Sequence, residues 1–139
     1  MSYVWPPTYE ISFMFRKVLA PVDGSAYSMK ALDVALDFAK RYGSRVTALI
    51  VDDGSINVEE VRKKVEGKAR SAGVKVEVKV IGKGDGCSVS SKIVKESLEG
   101  DYDLIIIAAR GRTQVEDILI GSTALSTIVN TTISVLLIR

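Results

Sequence analysis

Short apolar segments alternate with helix-compatible segments along almost the whole chain, and no other feature constrains the fold as strongly. The helix-compatible segments cover about residues 27–42, 58–72, 88–98 and 122–131. The strand-like segments cover residues 17–22, 45–51, 74–80, 104–109 and 133–138. Strands that alternate with helices form parallel sheets with helices on both faces. We therefore expect an α/β protein with a Rossmann-like, three-layer α/β/α fold, in which four helices flank a five-stranded, mostly parallel sheet.

Local signals support this division of the chain. Ser25 or Ser28 would begin the first helix by accepting a hydrogen bond from an unpaired backbone N–H group. Asn57 and Glu60 have the spacing of a capping pair for the second helix. Residues 74–80 alternate strictly between Val and charged residues, which predicts a strand with one face in water. We expect that strand at an edge of the sheet.

The composition excludes several classes of function. The 139 residues include no histidine and a single cysteine, Cys87. Catalysis by Ser-His-Asp or Cys-His groups, histidine metal sites and an intrachain disulfide are therefore excluded. The 19 basic and 17 acidic residues give a net charge of +2, without the strong basic excess typical of nucleic-acid binding. We expect a reducing, cytoplasmic setting and no nucleic-acid partner.

The first 14 residues differ from the rest of the chain. Pro6 and Pro7 forbid regular secondary structure there, so we expect an N-terminal arm at residues 1–14 before a single domain at residues 15–139. The arm lacks the basic start and continuous apolar core of a signal peptide. No segment approaches the roughly 18 apolar residues needed to cross a membrane. The arm is either a loose terminus or a segment that packs on the domain or on a second subunit.

The stretch from residue 104 to residue 122 has the features of an anion-binding site. An apolar strand leads into a loop that contains Gly111, and Gly121 and Ser122 then precede the last helix. The first N–H groups of a helix have no partners inside it, and the helix dipole favours negative charge there. Glycine allows a bulky anion to approach the backbone. We expect this loop to hold a nucleotide phosphate.

Two other strand ends are expected to face the same loop. Ligands of open parallel sheets bind beyond the carboxyl ends of the strands, where the strand order reverses. Pro21, Val22 and Asp23 follow the first strand, and Val51 ends the second. Together with the 104–122 stretch, these residues predict one crevice.

Four other features each allow a structural and a functional interpretation. Residues 82–86 (GKGDG) begin like a dinucleotide-binding GxGxxG pattern but lack its third glycine, which favours a simple turn. Asp52 and Asp53 could hold Mg²⁺ with a phosphate, although adjacent Asp residues after a strand are ordinary turn formers. Asp23 either accepts hydrogen bonds from ribose hydroxyls or caps the first helix. Cys87 precedes a helix and could be a reactive thiol, but the chain has no histidine or second cysteine to act with it.

These residues resemble the universal stress protein family over about residues 15–139. Residues 17–25 (KVLAPVDGS) look like that family's first strand and turn, and residues 135–139 look like its last strand. The more specific similarity is to the family's Gly-2x-Gly-9x-Gly-Ser/Thr motif. Gly111 is followed by nine residues and then by Gly121-Ser122, while Ala108 stands in place of the first glycine.

The resemblance implies an adenine nucleotide alpha hydrolase-like form of the Rossmann fold and a homodimer joined through the C-terminal strand. In the family's ATP-binding branch it also implies a site for ATP, ADP or AMP, with or without Mg²⁺. The matching nucleoside positions are Pro21, Val22, Asp23 and Val51. The matching phosphate positions are Gly111, Gly121, Ser122 and Thr123. Arg110 and Arg112 flank Gly111, and they either meet phosphate oxygens or are solvated.

Ala108 is the one departure from the motif. If this position needs a positive φ, alanine costs on the order of 1 kcal/mol of strain. If ribose packs directly on it, the methyl group costs about 1–3 kcal/mol. We expect binding to be weakened by one or two decades at most, and not abolished.

The sequence therefore predicts a universal stress protein that binds ATP or another adenine nucleotide in stress response or signalling. We expect no dedicated catalytic centre and at most slow hydrolysis. The alternative is a dimeric interaction protein of the same fold that binds no nucleotide. A third interpretation, an enzyme that transfers adenylyl groups, would need histidine-containing motifs that the chain lacks.

Overall fold

The computed structural model describes residues 15–82, 84, 86–112 and 119–139. These residues form five strands and four helices in strict alternation. In chain order they are β1 Lys17–Pro21, α1 Ala26–Tyr42, β2 Arg45–Asp52, α2 Val58–Ala72, β3 Val76–Gly82, α3 Val89–Glu99, β4 Leu104–Ala108, α4 Ser122–Asn130 and β5 Ser134–Ile138. The expected fold class is confirmed. The N-terminal arm predicted at residues 1–14 lies outside the described residues.

The strands form one sheet in the order β3-β2-β1-β4-β5, and every pair is parallel. β1 is central, and β3 lies at an edge as its alternating pattern predicted. The chain moves outward from β1 through β2 to β3, and it then returns to place β4 on the other side of β1. The order therefore reverses between β1 and β4, which is where a parallel sheet leaves a crevice for ligands.

Each face of the sheet has its own apolar layer, because successive side chains on a strand point to opposite faces. On one face, Ala20 and Ile106 pack with α1 and α2 residues such as Leu32. On the other face, Ile105 packs with residues of α3 and α4 that include Ile93. The central strands are buried on both faces, so their sequences are continuously apolar.

Side-chain caps begin the first three helices. The Ser25, Asn57 and Ser88 oxygens accept hydrogen bonds from the N–H groups of Ser28, Glu60 and Ser91, respectively. Such a cap typically contributes about 1 kcal/mol to stability. Of the two candidates for the first cap, the structure selects Ser25. None of the helices in the described ranges is long and apolar enough to cross a bilayer.

The predicted boundaries differ from the structure by one or two residues in several places. The largest difference is at β3, which begins at Val76 and not at Val74. The Val74 N–H donates to the Ala69 carbonyl, 3.0 Å away, and the Gly73 N–H donates to the Arg70 carbonyl. These bonds complete the C-terminus of α2. The Val74 backbone N–H is therefore used by the helix and not by the sheet, although the Val74 side chain fits the strand pattern.

Candidate functional site

A cleft of about 810 Å³ opens at the carboxyl ends of the strands, at the reversal between β1 and β4. Every residue that the sequence predicted for the site lines this cleft. These residues are Pro21, Val22, Asp23, Val51, Ala108, Arg110, Gly111, Arg112, Gly121, Ser122 and Thr123. They come from three strand ends and the start of α4, so the parallel topology brings together positions as far apart in the chain as Pro21 and Thr123.

Asp23 forms the turn between β1 and α1. Its Oδ1 accepts a hydrogen bond from the Ser25 N–H at 2.9 Å, and its own N–H donates to the Ser28 hydroxyl at 3.2 Å. Ser25, and not Asp23, caps α1. Asp23 Oδ1 is therefore used by the turn, while its Oδ2 lies next to Gly111.

Gly111 leaves little room for a side chain at the point where the loop after β4 approaches Asp23. A Cβ atom added at Gly111 would lie 3.0 Å from Asp23 Oδ2, which is closer than side chains normally pack. Glycine thus allows the loop after β4 to lie directly against the carboxylate that follows β1. Gly111 is a predicted phosphate position and Asp23 a predicted nucleoside position, so the two sides of the cleft lie within one side-chain length of each other here.

The start of α4 is open toward the cleft. Its N-cap residue is Gly121, and this helix has no side-chain cap, unlike the three other helices in the described ranges. The Gly121 N–H donates to the Ala109 carbonyl at 2.6 Å, which fixes the helix start against the end of β4. The next N–H groups, including those of Ser122 and Thr123, are the ones that an α-helix leaves without internal partners. They provide an electropositive surface at one end of the cleft.

The two arginines of the loop are held on opposite sides of Gly111. The Arg110 guanidinium lies 5.4 Å from the centre of the Tyr27 ring on α1, within the range of a cation–π contact. Arg112 Nη1 donates to the Ser55 carbonyl at 2.6 Å and to the Ser55 hydroxyl at 3.1 Å. Both side chains therefore have protein partners, and Arg110 is half-buried while Arg112 is exposed.

Ala108 is an ordinary strand residue. It pairs with Ile138 in the β4–β5 register, and the positive φ angles of described non-glycine residues occur only at Phe15 and Asp101. The strain cost considered for Ala108 therefore does not arise. Its side chain belongs to the α1–α2 layer with Ile106, whereas Ile107 belongs to the α3–α4 layer.

Asp52, the last residue of β2, and Asp53 act as turn formers. Asp52 Oδ1 accepts the Gly54 N–H, and Asp53 Oδ1 accepts the Ser55 N–H at 2.9 Å. The described residues contain no group of three or more His, Cys, Asp or Glu side chains that could hold a metal ion. Cys87 is exposed and does not line the cleft. Lys83 and Asp85, within the GKGDG turn, lie outside the described residues.

Sequence reasoning missed the residues that hold the loop, Tyr27 and Ser55. Ser55 follows β2 by three residues, so extending the strand-end argument into the following turn would have included it. Tyr27 gave no such signal, because a tyrosine in the first turn of a helix fits the apolar stripe equally well. The apolar walls of the cleft, which include Ile56, Ile93 and Ile120, were also not identified.

Known proteins share this architecture. The universal stress protein MJ0531 of Methanocaldococcus jannaschii is 29% identical over 145 residues, an alignment that covers 91% of this chain and 83% of that protein. A solved universal stress protein in complex with cAMP is 18% identical, with a TM-score of 0.75, and the match covers 91% of this chain and 98% of that one. A universal stress protein from Archaeoglobus fulgidus, in complex with dAMP, is 19% identical, with a TM-score of 0.70 and coverage of 91% and 99%.

The two structural matches establish a common fold, and the family assignment comes from the sequence itself. The model of the universal stress protein family matches residues 14–139, which is nearly the whole chain. The chain therefore belongs to the universal stress protein family.

Proposed function

We propose that this protein binds ATP or another adenine nucleotide in the cleft between β1 and β4 and acts in a nucleotide-dependent stress response or in signalling. The observation that carries the proposal is the start of α4. It lacks a side-chain cap and lines the same cleft as the ends of β1 and β2. A phosphate at this end would be bound by backbone N–H groups, as at other helix N-termini.

The nucleoside would lie on the opposite side of the cleft. Pro21, Val22 and Val51 provide a mainly apolar wall there. Asp23, which lines the same cleft, would accept hydrogen bonds from ribose hydroxyls. Gly111, Gly121, Ser122 and Thr123 would contact the phosphate. The complexes of two family members with cAMP and dAMP support an adenine nucleotide as the ligand.

We propose a binding protein and not a dedicated catalyst. The chain has no histidine to act as a general base near neutral pH. A Mg²⁺ ion would be held chiefly by the nucleotide's own phosphates, since the described residues form no acidic cluster around the cleft. Any hydrolysis would accordingly be slow.

We test the proposal with Gly121→Val. A Cβ atom at position 121 would meet its nearest neighbour, the Ala109 carbonyl oxygen, at 3.4 Å, so the variant has room to fold. The valine methyl groups would project where a phosphate must approach the helix. We expect millimolar AMP or ATP to raise the melting temperature of the unmodified protein and to leave that of Gly121→Val unchanged.

Gly67→Val is the matched control. Gly67 lies in α2, away from the cleft, and a Cβ atom there meets nothing within 4 Å. This variant should keep the full nucleotide response. If the unmodified protein shows no response and no bound nucleotide by mass spectrometry, the protein is the non-nucleotide-binding interaction protein of the same fold. A normal response in Gly121→Val would instead mean that the phosphate lies elsewhere.

A further inference from the structure

The groove between α1 and α2 is a second concave surface of the molecule. It has a volume of about 780 Å³, and none of the described residues lines both this groove and the cleft between β1 and β4. Met29 and Leu36 line the groove and are buried, so its floor is apolar. Small residues on both helices, Ala26, Gly67 and Ala72, leave space above this floor.

Lysine is the main charged residue type in the groove. The charged lining residues are Asp33, Asp37, Lys40, Lys63, Lys64 and Lys68. The two carboxylates already have basic partners. Both carboxylate oxygens of Asp33 lie 3.1 Å from Lys68 Nζ, and Asp37 Oδ2 lies 2.8 Å from Arg41 Nε. The groove is therefore left with a positive charge.

Lys40 and Lys63 provide charge that no other group uses. Both are exposed, and neither forms an ion pair or a hydrogen bond with a residue in the described ranges. Lys63 lies beside the start of α1, since its neighbour Lys64 donates from Nζ to the Gly24 carbonyl at 3.1 Å. Lys40 lies in the last turn of α1. Because the 17 residues of α1 span about 25 Å, the two lysines are roughly 20 Å apart along the groove.

Gly67 is an unexpected residue in this groove. It lies one turn after Lys63, in the interior of α2, where glycine destabilises a helix relative to alanine. The described chain itself does not require glycine here, because its φ is not positive and an added Cβ atom would meet nothing within 4 Å. The missing side chain does allow the backbone of another molecule to approach α2 closely.

We propose that the groove between α1 and α2 binds an acidic segment of a partner protein. Carboxylates of the segment pair with Lys40 and Lys63, and its backbone passes over Gly67. Its apolar side chains lie on the floor formed by Met29 and Leu36. In extended form, about six residues of the segment span the distance between the two lysines.

A nucleic acid fits the same groove less well than a peptide. Asp33 and Asp37 line the groove between the ends occupied by the two free lysines, and they would face a continuous row of phosphates. A peptide carries carboxylates only at particular positions, so it can match Lys40 and Lys63 without placing negative charge on the aspartates. This difference favours a protein partner.

The test is the fluorescence anisotropy of a labelled peptide of alternating Glu and Ala, titrated with the full chain. A peptide about ten residues long spans both lysines when extended. We expect binding that weakens as the salt concentration rises. Lys40→Glu and Lys63→Glu should each weaken it at least about fivefold, because a repulsion replaces an attraction. The control Lys95→Glu makes the same charge change at an exposed position of α3, on the other face of the sheet, and should bind as the unmodified protein does.

Two further probes separate the class of partner. A peptide of alternating Gln and Ala should not bind, because it lacks carboxylates. A single-stranded DNA oligonucleotide with the same number of negative charges should bind less tightly than the Glu-Ala peptide. Tighter binding of the oligonucleotide, or equal binding of the Gln-Ala peptide, would overturn the proposal.

Gly67→Val separates docking in the groove from general attraction to a basic surface. The variant has room to fold, and its melting temperature should be no lower than that of the unmodified protein. It should bind the Glu-Ala peptide at least about tenfold more weakly, because the valine side chain occupies the path of the peptide backbone. Unchanged affinity in Gly67→Val, no binding by the unmodified protein, or an equal loss in Lys95→Glu would each overturn the proposal.

Discussion

At the scale of single residues, the position of Ala108 shows why a departure from a sequence motif must be judged in three dimensions. Its backbone is extended, and its methyl group packs with Ile106 in the layer under α1 and α2. The buried apolar wall of the cleft is built largely from the other layer, by residues that include Ile93 and Ile107. The methyl group therefore contributes mainly to the core.

This placement predicts the effect of restoring the motif glycine. Ala108→Gly should change the affinity for AMP by less than about threefold. It should also lower the free energy of unfolding by about 1–2 kcal/mol, because a buried methyl group is lost and glycine gains backbone freedom when unfolded. Titration calorimetry and urea unfolding measure the two effects. A tenfold gain in affinity would show instead that the methyl group restricts the ligand.

The charged loop residues show what sequence reasoning could and could not predict about the site. Gly111 and Gly121 were identifiable because backbone approach and a helix start need particular residues at particular spacings. The partners of Arg110 and Arg112 were not, because Tyr27 and Ser55 reach them from elements that are more than 50 residues away in the chain. Long-range side-chain contacts of this kind depend on packing and leave no local pattern.

At the scale of secondary-structure elements, β3 and α3 are joined by a partly buried polar network. Glu96 on α3 is only 7% exposed, and its Oε1 lies 2.8 Å from Lys79 Nζ on β3. Its Oε2 accepts a hydrogen bond from the Tyr102 hydroxyl at 3.0 Å. The network satisfies a carboxylate that would be costly to bury alone. It also ties the edge strand β3 to α3.

The network predicts a particular alkaline sensitivity. Burial, together with the nearby Glu96 carboxylate, raises the pKa of Tyr102 from 10.0 to about 12. The folded state therefore favours the neutral phenol. The stability that Tyr102 contributes is complete below pH 10, where tyrosine in the unfolded chain is also neutral. It is lost progressively as the pH rises from about 10 to about 12.

We expect the urea midpoint of the unmodified protein to fall more steeply above about pH 10 than that of Tyr102→Phe. Near neutral pH the variant should be about 1 kcal/mol less stable, because Glu96 loses a hydrogen bond. Tyr42→Phe is the control, since Tyr42 is 44% exposed, and this variant should retain the steep fall of the unmodified protein. If the urea midpoints of the unmodified protein and Tyr102→Phe fall equally with pH above about pH 10, the alkaline sensitivity does not come from Tyr102.

The elements themselves were largely predictable, because their signals are local. Apolar runs, caps and glycines identified all nine elements in the described residues, and strict alternation placed β3 at an edge. Boundaries were less predictable where two local signals compete. Val74 fits the alternation of the strand, yet its N–H group completes α2, and the hydrogen bond takes precedence over the pattern.

At the scale of the whole molecule, the opposite edge of the sheet is the main surface without a partner in the described chain. β5 pairs with β4 on one side only, and an edge strand offers unpaired backbone groups to a second chain. The neighbouring helix α4 exposes apolar side chains, with Leu125 49% and Val129 69% accessible. Apolar exposure beside an open strand edge marks a surface for association. We propose that two copies associate here as a homodimer, each through its C-terminal strand.

If this surface is the dimer interface, a charge placed on it should change the oligomeric state. Val129→Asp would bury an unpaired carboxylate between the two copies, and we expect it to yield monomers of about 15.1 kDa in sedimentation, where the unmodified protein sediments as a dimer. The control Ser71→Asp adds the same charge at an exposed position of α2, on the other face of the sheet, and should remain dimeric.

In the unmodified protein, amide exchange in β5 should slow as the protein concentration rises, because pairing with a second copy protects the strand edge. A monomer at all concentrations would contradict the proposal. A dimer that persists in Val129→Asp, with concentration-independent exchange in β5, would place the interface on another surface.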